Sequence, residues 1–377
     1  MTTTPYSLAA HLHSEIARVI GAEGGWIGFD RYMALALYTP GLGYYANDGV
    51  IFSQMPAAGQ HGAAAAGGDF VTAPEMSPLF GQTLARQVAQ ALQRTQTDEI
   101  WEFGAGSGAL ALQLLDALQA LGQPVRRYTI VDLSGSLRER QQRTLVRHGD
   151  LVHWASELPP TLRGVVVGNE VLDAMPVKLL ARVAGQWHER GVALAANQAG
   201  FVWQDQPTDL RPPLAIDGAH DYLTEIHPQA EAFIATLADK LTAGAVFLID
   251  YGFPEAEYYH PQRHMGTVMC HRAHRADPDP LAEPGLKDIT AHVNFTGIAL
   301  AGQDAGLNVL GYCTQARFLM NCGLVDLLGS ASLPERANAQ RLIMEHEMGE
   351  LFKVIGLCRG EPWDAIGFAQ GDRTHTL

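Results

Sequence analysis

Three short polar stretches carry the residue types whose spacing could support chemistry. Residues 102–108 (EFGAGSG) place a carboxylate two positions before three alternating glycines, and Asp132 follows 24 residues after the last of them. Further along, Asn169 and Glu170 stand close to Asp173. Glycines let a backbone approach a ligand without an intervening side chain, whereas carboxylates bind ribose hydroxyls and cationic groups and can take up protons. Together these residues predict a nucleotide-type ligand beside a site that orients a cationic nucleophile.

The glycine spacing by itself leaves two cofactor classes open. With Ala109 in the last position, residues 104–109 also match the G-x-G-x-x-G/A fingerprint of dinucleotide-binding folds. Glu102 separates the two classes, because a carboxylate buried at a strand end is costly without a partner. S-adenosylmethionine supplies a charged amino group and a ribose, and an acid followed by G-x-G-x-G is typical of class I methyltransferases. The sequence therefore favours S-adenosylmethionine, with an NAD-dependent oxidoreductase as the alternative.

A strand before the glycine loop and a helix after it must position these residues. Residues 99–103 (EIWEF) predict that strand, and a helix is predicted to begin near Ser107 and to continue over residues 110–121. Further core strands are predicted at residues 128–132, 151–154, 164–168 and 244–251. Their alternation with helices predicts a doubly wound parallel α/β sheet. Ligands of such sheets bind outside the carboxyl ends of the strands, where Asp132 and Asn169 lie.

Segments outside this sheet predict helices and an insertion. Residues 8–20 repeat apolar side chains at helical spacing with Ser7 as the predicted N-cap, and Ser77 before a proline predicts another helix start. Alternating residues at 177–205 predict an antiparallel meander. A further helix is predicted near residues 335–347, and the low-complexity residues 54–68 predict a mobile loop.

These elements predict four regions along the chain. We expect an N-terminal helical cap with a loop at the cofactor mouth over residues 1–95, and a Rossmann-like core that carries the meander over residues 96–256. An inserted second lobe is expected over residues 257–340, and residues 341–377 are expected to return to the core sheet.

Composition and charge limit the class of protein. The chain has 377 residues, of which 47% are hydrophobic and 18% charged, as is typical of a globular protein with ample length for a core. Its net charge of −14 opposes a large nucleic-acid interface and suits a basic protein segment as partner. No apolar run approaches the roughly 18 residues of a membrane span. We therefore expect an unprocessed cytoplasmic protein.

The cysteines and histidines show no metal-binding pattern. The four cysteines have no C-x-x-C spacing, and His260, His264, His271 and His274 do not match the spacing of a standard site, so we expect no metal. His292 lies in a stretch where polar and apolar residues alternate. It could relay a proton near the methyl acceptor, and it could equally be a structural histidine.

Taken together, these motifs resemble those of the MidA-like methyltransferases, relatives of a mitochondrial complex I assembly factor. The resemblance extends from Tyr32 to Val354. Its most specific pieces follow in order along the chain: residues 68–75 (GDFVTAPE), 102–108 (EFGAGSG), 169–176 (NEVLDAMP), 250–252 (DYG) and 288–293 (DITAHV). Asp132 stands where this family often has glutamate, which shortens the side chain and keeps its charge.

The resemblance implies a class I methyltransferase fold, S-adenosylmethionine as cofactor and a protein arginine as acceptor. In that family the animal enzyme methylates an arginine of a complex I core subunit. Cofactor binding is assigned to Asp69, Thr72, Glu102, Gly104, Gly106, Gly108, Asp132, Leu133 and Asn169. The residues expected to act on the acceptor are Glu170, Asp173, Glu75 and His292. Arginine is always protonated, so Glu170 with Glu75 or Asp173 would pair with the guanidinium and accept a proton as the methyl group transfers.

A second alternative is an assembly factor that binds the cofactor without catalysing a reaction. Intact acids at positions 102, 132 and 170 favour activity over that alternative. The expected partner is an arginine-bearing protein, for which the resemblance implies a complex I subunit in type, with no nucleic acid and no membrane span. The sequence leaves the oligomeric state open, and a homodimer is among the alternatives.

Overall fold

The computed structural model describes residues 5–47, 72–132, 135–196, 200–272 and 275–377. The predicted loop at 54–68 and two predicted site residues, Asp69 and Leu133, lie outside the described residues. The chain divides into two compact units. The meander unit comprises the described residues up to 47 together with residues 173–230 and 255–292. The glycine-loop unit comprises the described residues from 72 to 172 together with residues 231–254 and 293–377.

The strands and helices have the following bounds. The strands are β1 (Trp26–Gly28), β2 (Glu99–Phe103), β3 (Arg127–Val131), β4 (Val152–Ala155), β5 (Leu162–Asn169), β6 (Lys178–Val183), β7 (Gln186–Leu194), β8 (Phe201–Pro207), β9 (Tyr222–Ile226), β10 (Leu241–Phe253), β11 (Met269–Arg272), β12 (Arg275–Asp277), β13 (Asp288–Thr290), β14 (Val293–Asn294), β15 (Asn308–Thr314) and β16 (Phe352–Arg359). The α-helices cover Pro5–Ala22, Phe29–Tyr38, Ala73–Met76, Pro78–Thr95, Ala109–Ala120, Gly135–Thr144, Pro228–Lys240, Glu255–Tyr258, Phe295–Asp304, Gln315–Asn321, Leu324–Ser330 and Leu333–Ile343.

The glycine-loop unit is built on one large sheet with the strand order β15-β16-β10-β5-β2-β3-β4, and the short β14 also pairs with β10. Neighbouring strands from β10 to β4 are parallel, whereas β16 runs antiparallel to both of its neighbours. The order reverses at β2, which lies between β5 and β3. This reversal is the topological switch point of a doubly wound sheet, where ligands bind. The predicted doubly wound α/β fold is confirmed.

Continuous apolar runs explain why the central strands of this sheet are buried on both faces. Val165, Val166 and Val167 of β5 are completely buried, as is Ile100 of β2. Helices Pro78–Thr95 and Ala109–Ala120 contribute buried leucines to the same core. The helix at Pro78–Thr95 begins as predicted, because the Ser77 hydroxyl accepts a hydrogen bond from Leu79 N at 3.3 Å.

The meander unit has its own core and two sheets. In the first sheet β7 pairs antiparallel with β6 and β8, and β6 also pairs antiparallel with β9. The short β1 pairs antiparallel with residues 191–193 of β7. The predicted antiparallel meander is therefore confirmed. The second sheet has the order β12-β11-β13. The core of the meander unit combines residues of the first two helices, such as Ile16 and Met33, with Val192 of β7 and Ile289 of β13.

Two predicted helix ends were wrong. The first helix begins at Pro5, so Ser7 lies inside it and does not cap it. The helix predicted after the glycine loop is present over Ala109–Ala120, and it begins there because Gly108 has a left-handed conformation with φ 85°. The helix predicted near 335–347 ends at Ile343, because Met344 is extended and a π-helical turn follows at Glu345–Gly349.

Candidate active site

The glycine loop connects β2 to helix Ala109–Ala120 through left-handed backbone. Gly104, Gly106 and Gly108 have φ values of 64°, 51° and 85°, a conformation that glycine adopts at no steric cost. A Cβ atom added at Gly104 would lie 3.0 Å from Val171 Cγ2, whereas one at Gly106 would meet nothing within 4 Å. The space above Gly106 therefore lets a ligand approach the backbone. The first helical turn carries no acidic residue that would neutralise its positive end.

Glu102 lies in β2, directly before this loop, and is 1% exposed. The Tyr128 hydroxyl of β3 donates a 2.7 Å hydrogen bond to Glu102 Oε2. Burial raises the pKa of Glu102 to about 8, and the negative charge of Asp132 acts in the same direction against the Tyr128 hydrogen bond. Without a ligand, Glu102 is mostly protonated at neutral pH. A cationic partner would favour its charged form.

Asp132 follows β3, and Gln141 of helix Gly135–Thr144 holds its side chain. Gln141 Nε2 donates to Asp132 Oδ2 at 2.8 Å and to Gly106 O at 3.0 Å, and Gln141 Oε1 accepts from Trp154 Nε1 at 2.9 Å. Sequence reasoning missed Gln141. The available signal was its spacing, because it stands four residues from Leu137 and four from Leu145, both buried, on the apolar stripe of the helix.

Asn169 and Glu170 stand at the carboxyl end of β5. Glu170 has a left-handed φ of 54°, which is uncommon for a residue with a Cβ atom. Asn169 Nδ2 donates a 2.9 Å hydrogen bond to Glu170 Oε1. The buried Asn169 Oδ1 has no hydrogen-bond partner among the described residues. A buried acceptor of this kind can receive a hydrogen bond from a ligand.

Asp250 of β10 fixes the turn that follows Glu170. Its Oδ2 accepts from Val171 N at 3.1 Å and from Leu172 N at 2.9 Å, and its Oδ1 accepts from Tyr251 N at 2.9 Å. Asp250 is 1% exposed, so these three donors compensate much of the cost of burying its carboxylate. Residues 250–252 are one of the motifs that resemble the MidA-like family, but the sequence does not predict this role for Asp250.

Glu75 lies in helix Ala73–Met76, and its carboxylate accepts a hydrogen bond from the Ser107 hydroxyl of the glycine loop. The same segment is held by Gln113, whose Nε2 donates to Pro74 O at 2.7 Å. Thr72 precedes this helix with extended backbone and makes no capping hydrogen bond through its side chain. The segment at residues 72–76 is therefore packed against the glycine loop.

The structure thus places most of the predicted site residues in the glycine-loop unit. These are Glu75, Glu102, the three glycines, Asp132, Asn169 and Glu170, with Thr72 beside Glu75 in the chain. Asp69 and Leu133 lie outside the described residues.

Asp173 and His292 belong to the meander unit. Both are held there through their backbones, since Ala291 N donates to Asp173 O at 2.9 Å and His292 N donates to Thr267 Oγ1 at 3.0 Å. The ring of His227, a buried histidine of the same unit, bonds to His292 O at 2.9 Å. Burial lowers the pKa of His227 to about 4, so this ring is neutral at physiological pH.

Within the described part of the chain, no group of three or more histidine, cysteine or acidic side chains could hold a metal ion. A search of the same residues finds no helix with the length and apolar character needed to cross a bilayer.

Comparison with known proteins assigns the family. Residues 83–313 match the family model described as "Putative S-adenosyl-L-methionine-dependent methyltransferase". The chain belongs to this methyltransferase family. This assignment decides between the two cofactor classes that the glycine spacing left open, and the dinucleotide alternative was wrong.

A solved structure and two curated relatives are similar to this methyltransferase over most of its length. The structure, described as a "likely methyl transferase from Burkholderia thailandensis bound to S-adenosyl-homocysteine", is 48% identical with a TM-score of 0.92, and 100% of each chain is covered. The mitochondrial protein arginine methyltransferase NDUFAF7 of Danio rerio is 26% identical over 93% of this chain and 86% of its own length. The Caenorhabditis elegans homologue is 26% identical, with 88% and 83% covered.

Proposed function

We propose that this methyltransferase transfers a methyl group from S-adenosylmethionine to an arginine side chain of a protein. The naming of its relatives as protein arginine methyltransferases supports the acceptor. The observation that carries the proposal is the position of the Glu170 carboxylate at the carboxyl end of the central strand β5. Asn169 donates a hydrogen bond to this carboxylate, and Asp250 fixes the turn that follows Glu170. Arginine recognition needs a fixed carboxylate of this kind.

The residues around the glycine loop fit S-adenosylmethionine. Gly106 leaves the backbone of the loop open to the methionine end of the ligand, and Asp132 is the candidate for its ribose hydroxyls. The nearly buried Glu102 would pair with a cationic or hydroxyl group, and the unpartnered Asn169 Oδ1 offers a further acceptor. When bound, the cofactor supplies an electrophilic methyl group on a positively charged sulfur.

Glu170 would orient the guanidinium and take up the proton that its nitrogen loses as the N–C bond forms and the C–S bond breaks. The protein contributes mainly positioning to such an in-line displacement. Glu75, Asp173 and His292 remain candidates on the acceptor side. Among these, Glu75 is held against the glycine loop by Ser107.

The finer identity of the acceptor is part of the same proposal. We infer a subunit of respiratory complex I in type from the resemblance to the MidA-like methyltransferases, and the net charge of −14 suits a basic segment. The cytoplasmic location expected from the sequence stays a prediction, and the relatives are named mitochondrial.

Substitution of Glu170 tests this function. Glu170→Gln should reduce methyl transfer to an arginine-bearing protein at least about 100-fold, because the amide can neither pair with the guanidinium nor accept its proton. Binding of S-adenosylhomocysteine should stay within about twofold of the wild type, since the change removes one charge and keeps the shape. Mass spectrometry of the acceptor and calorimetry of the ligand measure the two quantities.

Glu157→Gln, the same substitution at an exposed position, serves as the matched control and should leave both quantities unchanged. Normal turnover in Glu170→Gln would remove Glu170 from the mechanism. Wild-type protein that binds S-adenosylhomocysteine but methylates no arginine would favour another acceptor or a scaffold role.

A further inference from the structure

Gln141 lies at the junction of three parts of the candidate cofactor site. Its side chain is completely buried, and it contacts the glycine loop through Gly106 O, the end of β3 through Asp132, and β4 through Trp154. The helix that carries it is packed directly on the loop, because a Cβ atom added at Gly108 would lie 3.4 Å from Gln141 Cα. Gln141 therefore connects elements that approach a ligand from different strands.

The hydrogen bonds of this amide fix its orientation. Both Nε2 hydrogens have acceptors, Gly106 O at 3.0 Å and Asp132 Oδ2 at 2.8 Å, while Oε1 accepts from the Trp154 indole at 2.9 Å. A flipped amide would place its oxygen against two acceptors and its nitrogen against a donor. A glutamate would lose both donors and place a second negative charge beside Asp132. Only glutamine matches all three partners at this length.

We propose that Gln141 is a positioning residue that sets the affinity and specificity of the site for the ribose of the cofactor. By donating to Asp132 and to Gly106 O together, it holds the carboxylate at a fixed place relative to the loop. The energetic effect should therefore appear only with ligands that carry ribose hydroxyls. The inference rests on the proposed role of Asp132 in binding those hydroxyls.

Calorimetry with two ligands separates this role from a general structural one. The ligands are S-adenosylhomocysteine and its analogue whose ribose lacks both hydroxyls. In Gln141→Met, which keeps the length and removes all three hydrogen bonds, the Kd for S-adenosylhomocysteine should rise about tenfold, the equivalent of one charge-assisted hydrogen bond. The Kd for the analogue should change by about twofold or less, because the analogue lacks the hydroxyls that the Asp132 carboxylate would bind.

Gln141→Glu should have a larger effect on S-adenosylhomocysteine than Gln141→Met, since charge repulsion displaces the Asp132 carboxylate. Gln142→Met provides the matched control, because Gln142 is the neighbouring residue of the same helix and is exposed. It should bind both ligands like the wild type. If a Gln141 variant does not fold, Trp154→Phe removes the indole donor while keeping an aromatic ring, and should weaken S-adenosylhomocysteine binding about threefold in the same selective way.

Equal losses for the two ligands in a folded Gln141 variant would overturn the inference and leave Gln141 as a structural residue. Unchanged binding of S-adenosylhomocysteine in Gln141→Met would overturn it as well. Failure of the proposed function gives a different result, because the wild-type protein itself would then bind no S-adenosylhomocysteine or would bind it without methylating arginine.

Discussion

Each compact unit buries one glutamate within a strand, and the two carboxylates have very different surroundings. In the meander unit, Glu225 of β9 accepts hydrogen bonds from Thr267 N at 2.7 Å, Val268 N at 3.1 Å and the Tyr258 hydroxyl at 2.8 Å. In the glycine-loop unit, Glu102 of β2 accepts one, from the Tyr128 hydroxyl at 2.7 Å, and no second from the described residues. Both side chains are at most 1% exposed.

This difference separates a structural carboxylate from one that awaits a ligand. Three donors compensate for the burial of Glu225 and tie β9 to residues 267 and 268, so its carboxyl group is used within the protein. Among the described residues Glu102 has one donor, and burial raises its pKa to about 8. Buried acids with raised pKa values beside a glycine loop are typical of functional sites. A glutamate-to-glutamine substitution should therefore mainly lower the stability of the protein at Glu225 and its affinity for the ligand at Glu102.

The largest effect is expected from Glu225→Gln. The amide oxygen can keep the two N–H donors, but an amide NH2 group then replaces the oxygen that accepts from the Tyr258 hydroxyl, so this buried hydrogen bond is lost at a cost of about 1–3 kcal/mol in the free energy of unfolding. Urea denaturation followed by circular dichroism measures this loss. A variant as stable as the wild type would show that the three hydrogen bonds of Glu225 do not stabilise the meander unit.

Glu102→Gln should not lower the free energy of unfolding at pH 7, because the wild-type carboxylate must take up a proton on folding whereas the amide needs none and can still accept from Tyr128. The Kd for S-adenosylhomocysteine should instead rise about tenfold, since the amide cannot form a charge-assisted hydrogen bond with the ligand. Calorimetry measures the affinity, with Glu157→Gln as the control. Wild-type affinity together with a large stability loss would make Glu102 a structural residue like Glu225.

A change is also expected in the pH dependence of stability. Between its ordinary pKa of 4.5 and about 8, Glu102 keeps a proton in the folded protein that the unfolded chain has lost. The free energy of unfolding should therefore fall as the pH rises through this interval. Glu102→Gln removes this contribution, so thermal melts of the ligand-free protein from pH 5 to pH 8 should decline less steeply in the variant. Parallel curves for the two proteins would contradict a raised pKa at Glu102.

Much of the fold could be predicted because its signals are local. The apolar runs at 99–103 and 164–168, the alternating residues at 177–205 and the cap at Ser77 all correspond to observed elements. Short elements such as β1 were not predicted, because a strand of three residues is too short to show a periodic pattern. The helix near residues 335–347 was predicted too long, because its end depends on the extended backbone of Met344.

The sequence predicted individual residues of the candidate site, but not the hydrogen bonds that join them. The glycines and the acids at 102, 132 and 170 stood out by type and spacing, and the motif at residues 69–75 was singled out by resemblance. The hydrogen bonds that organise them join residues far apart in sequence, as between Asp250 and Leu172, 78 residues apart, or between Ser107 and Glu75. No spacing rule predicts such pairs, so Gln141 and Asp250 gained their roles only from the structure.

The sequence alone determined the sheet class, the glycine loop and the position of acids at strand ends, because backbone geometry and burial impose short periods on the residues of each element. Only the tertiary structure decided how many hydrogen-bond donors each buried carboxyl group receives. Glu102 and Glu225 look alike in sequence, each a glutamate near the end of an apolar strand. They differ because folding brings the N–H groups of Thr267 and Val268 to Glu225, 42 and 43 residues away, and brings a single hydroxyl to Glu102.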